Sequence, residues 1–127
     1  MYKKAVPEVF GLKTDMATLV INQPDDYSEI MNGWAFDRPA KSSLDFVHLF
    51  VAGQADLISQ LPKLKANIKP NGMIWVSWLK KSSGIPTDVT ENDIRNLAIA
   101  IGLVDVKVCA VSDIWSGLKL VIPVAQR

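Results

Sequence analysis

Apolar positions fall into short dense runs separated by polar, proline-bearing or glycine-bearing breaks. Ala17-Thr18-Leu19-Val20-Ile21-Asn22 is apolar and rich in β-branched residues, and Gln23-Pro24-Asp25-Asp26 stops it, so it reads as a first strand. Asp25 or Asp26 stands where it would cap a short helix over Tyr27 to Met31, and Asn32-Gly33 signals a turn. Trp34 to Pro39 reads as a short edge strand, because a proline has no amide to give a central one. In Ser43 to Val51, Leu44, Phe46, Val47, Leu49, Phe50 and Val51 are apolar on both faces, the pattern of a parallel strand covered on both sides. Residues 1–16 read as an irregular or partly helical lead-in.

The period then changes. Leu57, Leu61, Leu64 and Ile68 are spaced 4, 3 and 4 apart, which predicts a helix over Gly53 to Ile68. Pro62 inside it costs about 3 kcal/mol unless the helix kinks or restarts, so a kink or two short pieces are expected. Pro70-Asn71-Gly72 turns the chain into a strand over Met73 to Leu79. Thr90-Glu91-Asn92-Asp93 has the form of a capping box with Asp in place of Glu or Gln, and Val89 and Ile94 are spaced as a hydrophobic staple. Ile94, Leu97, Ala98 and Ile101 form the buried stripe, and Gly102 is the expected left-handed terminator. Leu103 to Val111 and Leu118 to Val124 are two further strands. The connection between them, Ser112 to Gly117, is too short for a crossover helix, so they must form an antiparallel hairpin. The succession implies one α/β domain over residues 1–127: three layers around a mostly parallel, Rossmann-like sheet of five or six strands that ends in an antiparallel hairpin.

Composition narrows the classes. The 127 residues suit one domain, and 49% hydrophobic residues with four Trp suit a substantial core. Fourteen basic against 13 acidic residues leave a net charge of +1, with no global field to draw the protein to nucleic acid or an anionic membrane, and neither is expected as a partner. The single Cys109 excludes an internal disulfide and a multi-cysteine metal site, and its place in a strand-like run reads as a small buried apolar residue. The opening residues Met1 to Glu8 hold no apolar stretch of a secretory signal, and no run approaches the roughly 20 residues of a membrane span, so a cytoplasmic protein is expected.

The best ligand candidate is Lys80-Lys81-Ser82-Ser83-Gly84. Two ammonium groups, two hydroxyls and free amides at the carboxyl end of a strand suit a phosphate or carboxylate, and Thr87 and Asp88 are placed to line the same crevice. The loop lacks the glycine pattern of a P-loop. His48, the only histidine, shares a strand face with Phe46 and Phe50 and reads as a satisfied core residue rather than a catalytic base. Trp75 and Trp78 fall on opposite faces of their strand, and Met16, Met31 and Met73 read as core filling. Trp115, at the hairpin tip, is a candidate partner surface if exposed, as is Trp34.

The closing hairpin resembles the methyltransferase-type Rossmann fold, whose last strand inserts antiparallel. Asp45-Phe46-Val47-His48-Leu49-Phe50 resembles the central strand of that superfamily, and Ile68-Lys69-Pro70-Asn71-Gly72 resembles its proline- and glycine-bearing turn into the next strand. The likeness covers roughly residues 17–124. A tighter one is to a bacterial family known only as domain of unknown function 3052. It is carried by Leu79 to Gly84, Thr87 to Glu91, Gly102 to Val111 and Trp115 to Lys119, and it implies a compact methyltransferase fold and no established activity. S-adenosylmethionine sites of this fold need a glycine-rich turn after the first strand. Here Asn22 to Tyr27 holds no glycine, Pro24 lacks an amide donor, and two aspartates stand where the methionine carboxylate would lie. Asp37 is the candidate for the acid that would hold the ribose. The expectation is therefore a non-enzymatic or vestigial domain without a cofactor or metal, binding a small anionic ligand or a protein partner. The alternatives are an atypical S-adenosylmethionine-dependent methyltransferase and a structural homo-oligomer built through a sheet edge or the tryptophan hairpin.

Overall fold

The computed structural model describes residues 4–127, so Met1, Tyr2 and Lys3 of the lead-in lie outside the described residues. The elements are α1 (Val6–Phe10), β1 (Ala17–Ile21), α2 (Tyr27–Ile30), β2 (Arg38–Pro39), β3 (Leu44–Val51), α3 (Gln54–Lys65), β4 (Ile68–Leu79), α4 (Glu91–Ala100), β5 (Val104–Ala110) and β6 (Trp115–Val121). The sheet has six strands in the order β2-β1-β3-β4-β6-β5. The first four in chain order run parallel, while β6 is antiparallel to both β4 and β5. The hairpin forced by a short connection is present, and its second strand inserts next to β4 (Met73 opposite Val121, Leu79 opposite Trp115).

Period-two alternation divides the sheet's side chains between two layers. Val47, Leu49, Val51, Ile74, Val76 and Trp78 pack against Leu57, Leu61 and Leu64 of α3 and Ile94 and Ala98 of α4. Phe46, Phe50, Trp75, Leu79 and Trp115 point the other way, into an aromatic layer closed by Phe10 of α1, Tyr27 of α2 and Met31. Trp75 and Trp78 thus lie in different layers. Met31 is buried, whereas Met16 and Met73 are only half-buried at the margin of the aromatic layer. At the amino edge of the sheet, Asp45 accepts from the Ala17 amide (2.8 Å) and from Lys69 Nζ (3.1 Å), tying β1, β3 and the start of β4 together. Among the described residues no helix is long and apolar enough to cross a membrane.

Several local expectations are corrected. α3 is one continuous helix through Pro62. Pro62 removes only the bond to the Ile58 carbonyl, and both residues face solvent, where water replaces the missing donor. α3 ends at Lys65, and Ile68 opens β4 opposite Leu44 instead of closing the helix. The edge strand expected from Trp34 is only Arg38–Pro39, and Asp26 precedes α2 without a side-chain capping bond. β6 runs from Trp115 to Val121 rather than from Leu118 to Val124.

Pro70-Asn71-Gly72 is a bulge within β4, not a turn before it: the register passes from Leu44–Ile68 to Phe46–Met73. A side chain on Gly72 would place its Cβ 2.7 Å from the Leu44 carbonyl oxygen and 3.1 Å from that of Lys69. Both obstacles are backbone. Gly72→Ala is therefore expected to destabilise by about 1–3 kcal/mol, read as a lower urea midpoint at unchanged slope. The capping box of α4 is present, with Thr90 Oγ1 accepting from the Asp93 amide (3.3 Å) and Asp93 accepting from the Thr90 amide (2.9 Å).

Candidate functional site

Strand order reverses between β1 and β3, and ligands of open α/β sheets bind outside the carboxyl ends of strands at such a point. Here the chain's own side chains occupy that place. After β1, Asn22 takes a left-handed conformation (φ 60°), and its side-chain amide donates to the Phe50 carbonyl (3.4 Å). After β3, Thr87 Oγ1 donates to the Ala52 carbonyl (2.7 Å). Asp88 Oδ1 accepts from the Gln54 amide at the start of α3 (2.8 Å), and the Gln54 side chain returns a bond to the Asp88 carbonyl (2.9 Å). A helix amino terminus is the natural seat for an anion, and Asp88 supplies one from within the chain. Thr87 and Asp88 thus hold the loop after β4 against the end of β3.

The Lys80–Gly84 loop is a single 3₁₀ turn over Lys81–Ser83, ended by Gly84 in the left-handed region (φ 74°). Ser83 Oγ donates to the Lys80 carbonyl (2.6 Å) and accepts from the Ile85 amide (3.2 Å), so its hydroxyl is spent on the turn. The two lysines part company. Lys80 donates to the Ser112 carbonyl (2.7 Å) and lines a cavity of about 380 Å³ with Lys4, Val6, Val9, Cys109 and Asp113. Lys81 lines a different cavity, of about 370 Å³, with Trp78, Thr90, Glu91 and Asn92. Ser82 and Gly84 are exposed between them. Cys109 is half-buried, and burial pushes its thiol up, an effect partly offset by Lys107.

Two candidates are not placed for their roles. Asp37 is exposed and precedes β2, whose first residue, Arg38, pairs with Ala17 at the start of β1. It therefore stands at the amino edge of the sheet, away from the carboxyl ends. Trp115 is 8% exposed, lies opposite Leu79, and meets Phe50 edge-on at 4.9 Å, so it is core and not a partner surface. Trp34 is half-buried.

His48 is fully buried, and both ring nitrogens are bonded: Nδ1 to the Tyr27 hydroxyl (2.9 Å) and Nε2 to the Ser77 hydroxyl (2.7 Å). Hydroxyls donate or accept, so either neutral tautomer is satisfied. Burial pushes His48 down to about 3 and raises Tyr27 above its ordinary value. Sequence reading missed this chain of three because its members are 21 and 29 residues apart, Ser77 brought to His48 by the β3–β4 register and Tyr27 by the packing of α2. It also missed a cavity of about 420 Å³ beside α2. Among the described residues no group of three or more His, Cys, Asp or Glu is placed to hold a metal ion.

A family model described as "Protein of unknown function (DUF3052)" matches residues 25–124. The fold is similar to that of a putative methyltransferase from Thermoplasma acidophilum (TM-score 0.58, 9% identity, covering 96% of this chain and 76% of that one). It is also similar to a ribosomal protein L11 methylase from Lactobacillus delbrueckii subsp. bulgaricus (TM-score 0.54, 12% identity, covering 89% and 72%). A third likeness is to the mitomycin 7-O-methyltransferase MmcR (TM-score 0.58, 11% identity), of which this chain spans 52%. At these identities the likeness is one of fold. No match was found among curated proteins.

Proposed function

This chain belongs to the DUF3052 family, and from that premise we propose that it is a non-catalytic methyltransferase-fold domain that binds a small anionic ligand through Lys80. The observation that carries the ligand class is the pairing of Lys4 and Lys80 on one cavity, with Ser112 beside them and Asp113 as the only carboxylate among the described residues of its lining. Two ammonium groups facing one acid favour a divalent or trivalent anion such as a diphosphate or a tricarboxylate. The remaining walls are Val6, Val9, Cys109, Ala110 and Val111, which suit a short apolar body attached to the anion.

The non-catalytic half of the reading rests on the switch point. S-adenosylmethionine does not fit the residues there: no glycine follows β1, Pro24 offers no amide, and the amino terminus of α3 already carries Asp88. A second reading, an atypical methyltransferase, is favoured by the fold alone. A lone, half-buried thiol goes with a reducing, cytoplasmic setting.

Calorimetric titration with pyrophosphate, citrate and S-adenosylhomocysteine tests both halves. Lys80→Ala and Lys4→Ala are each expected to weaken pyrophosphate or citrate binding about tenfold, while Lys81→Ala leaves it within about twofold. Lys80 also holds the Ser112 carbonyl, so Lys4→Ala, at an exposed position, is the variant that keeps the test clear of folding defects. Equal losses in the Lys81 and Lys4 variants, or no anion binding, would overturn the assignment of the site. Saturable binding of S-adenosylhomocysteine would overturn the non-catalytic reading.

A further inference from the structure

Charge is segregated along the chain in a way the net value hides. From Thr14 to Asp37 there are five carboxylates (Asp15, Asp25, Asp26, Glu29 and Asp37) and no Lys, Arg or His. The cavity of about 420 Å³ lies within this stretch, between the end of β1 and the segment leading to β2. Its size is that of small-molecule sites. Three aromatic rings line it, Tyr27, Trp34 and Phe36, together with Met31, Pro24 and the carboxylate of Asp25, and among the described residues no basic side chain belongs to the lining.

Tyr27 is a buried member of the aromatic layer, while Trp34 and Phe36 are only partly covered. Tyr27 is anchored by its hydroxyl to His48 (2.9 Å) and stacks near-parallel on Phe36 (centroids 6.1 Å apart, 14° between planes). Trp34 and Phe36 remain half-buried, although they are among the largest apolar side chains in the protein. Two partly covered aromatic rings beside a buried third, around a cavity with one carboxylate in its wall, form an arrangement that recognises an organic cation. The ring faces attract the positive charge, the thioether and ring edges take the alkyl groups, and the acid supplies the counter-charge. A lysine- or arginine-free wall leaves that attraction uncompensated.

We propose that this cavity binds a small alkylated ammonium cation of the quaternary ammonium class, held against Trp34, Phe36 and Tyr27 with Asp25 as counter-ion. The site is separate from the anion cavity at Lys80 and shares no lining residue with it.

Choline and its uncharged isostere 3,3-dimethylbutan-1-ol separate charge recognition from apolar filling. Titrated into the full chain and followed by calorimetry and tryptophan emission, choline is expected to saturate at millimolar concentration or below. It is expected to bind at least about tenfold more tightly than the alcohol. Asp25→Asn, at an exposed position, is expected to lower choline affinity about fivefold or more and to leave binding of the alcohol unchanged, with no change in melting temperature. Trp34→Ala is expected to lower choline affinity by about tenfold or more, and Trp34→Phe to recover part of the loss. Lys4→Ala is expected to change nothing here, which keeps this test distinct from that of the anion site. Equal affinities for choline and the alcohol would overturn the proposal, as would no saturation by roughly 50 mM choline or an Asp25→Asn variant that binds choline like the parent.

Discussion

Phe10→Ala is expected to remove about 3–5 kcal/mol of stability, a large part of what a domain of this size possesses. α1 is five residues long, too short to persist alone, and it is bounded by Pro7 in its first turn and Gly11 in the left-handed region. What holds it is Phe10. The ring is fully buried, stacks on Trp75 (4.1 Å, 16°) and meets His48 edge-on (5.0 Å, 78°). Among the described residues the only other helix closing this layer is α2, four residues long, so little can collapse into the space the ring would leave. The void would border Trp75, whose indole Nε1 is already buried without a partner among the described residues. Urea denaturation gives the number directly, and the melting temperature should fall by roughly 10 °C or more. Phe10→Leu, which keeps most of the volume, should cost about 1–1.5 kcal/mol. A loss below about 1 kcal/mol for Phe10→Ala would show that α1 does not close the aromatic layer.

Acidification is expected to produce the second large effect. His48 is the only histidine, and burial holds its folded-state value at about 3 against an ordinary 6.5. Between those values the unfolded chain binds a proton that the folded protein refuses, so stability rises with pH across the window and is lost as pH falls through it. From pH 7.5 to 4.5 the loss from this one group amounts to about 2.7 kcal/mol. The three carboxylates held below their ordinary value respond lower. Asp45 is raised by burial but lowered further by the Ala17 amide and Lys69. Asp93 is lowered by the Thr90 amide and hydroxyl, and Asp105 by Arg95. Their contributions are present above the ordinary carboxylate range and disappear only below about pH 4. Urea unfolding at pH 7.5, 6.0 and 4.5 should show the slope in the parent and a much flatter one in His48→Gln. An equally steep slope in His48→Gln would assign the acid sensitivity elsewhere.

Elements governed by near neighbours were legible in the chain. Continuous apolar runs in Ala17–Ile21 and Leu44–Val51 marked the strands, Thr90 and Asp93 marked the start of α4, and the six residues from Ser112 to Gly117 forced a hairpin. Boundaries failed where a backbone contact from elsewhere intervened. Gly72 reads as a turn residue in isolation, yet the approach of the Leu44 carbonyl makes it a bulge inside β4. Pro62 reads as a break, yet its missing amide faces solvent at a point where the helix loses one bond and keeps its buried leucines.

The candidate site was legible only as a set of residue types. Chain order placed Lys80, Lys81, Thr87 and Asp88 together beyond β4, and tertiary structure assigned them to separate tasks: Lys80 to one cavity, Lys81 to another, Thr87 and Asp88 to the end of β3 and the start of α3. Trp115 at a hairpin tip looked like surface until Phe50 covered it, and the partners of His48 came from α2 and β4. By itself, then, the sequence determined the periodic elements, the hairpin and the α/β class, because those follow from backbone sterics and burial period over a few residues. Only the tertiary structure decided which polar groups face a cavity and which are spent on internal bonds. Those partners lie 21 to 35 residues apart along the chain, and strand register and loop path bring them together.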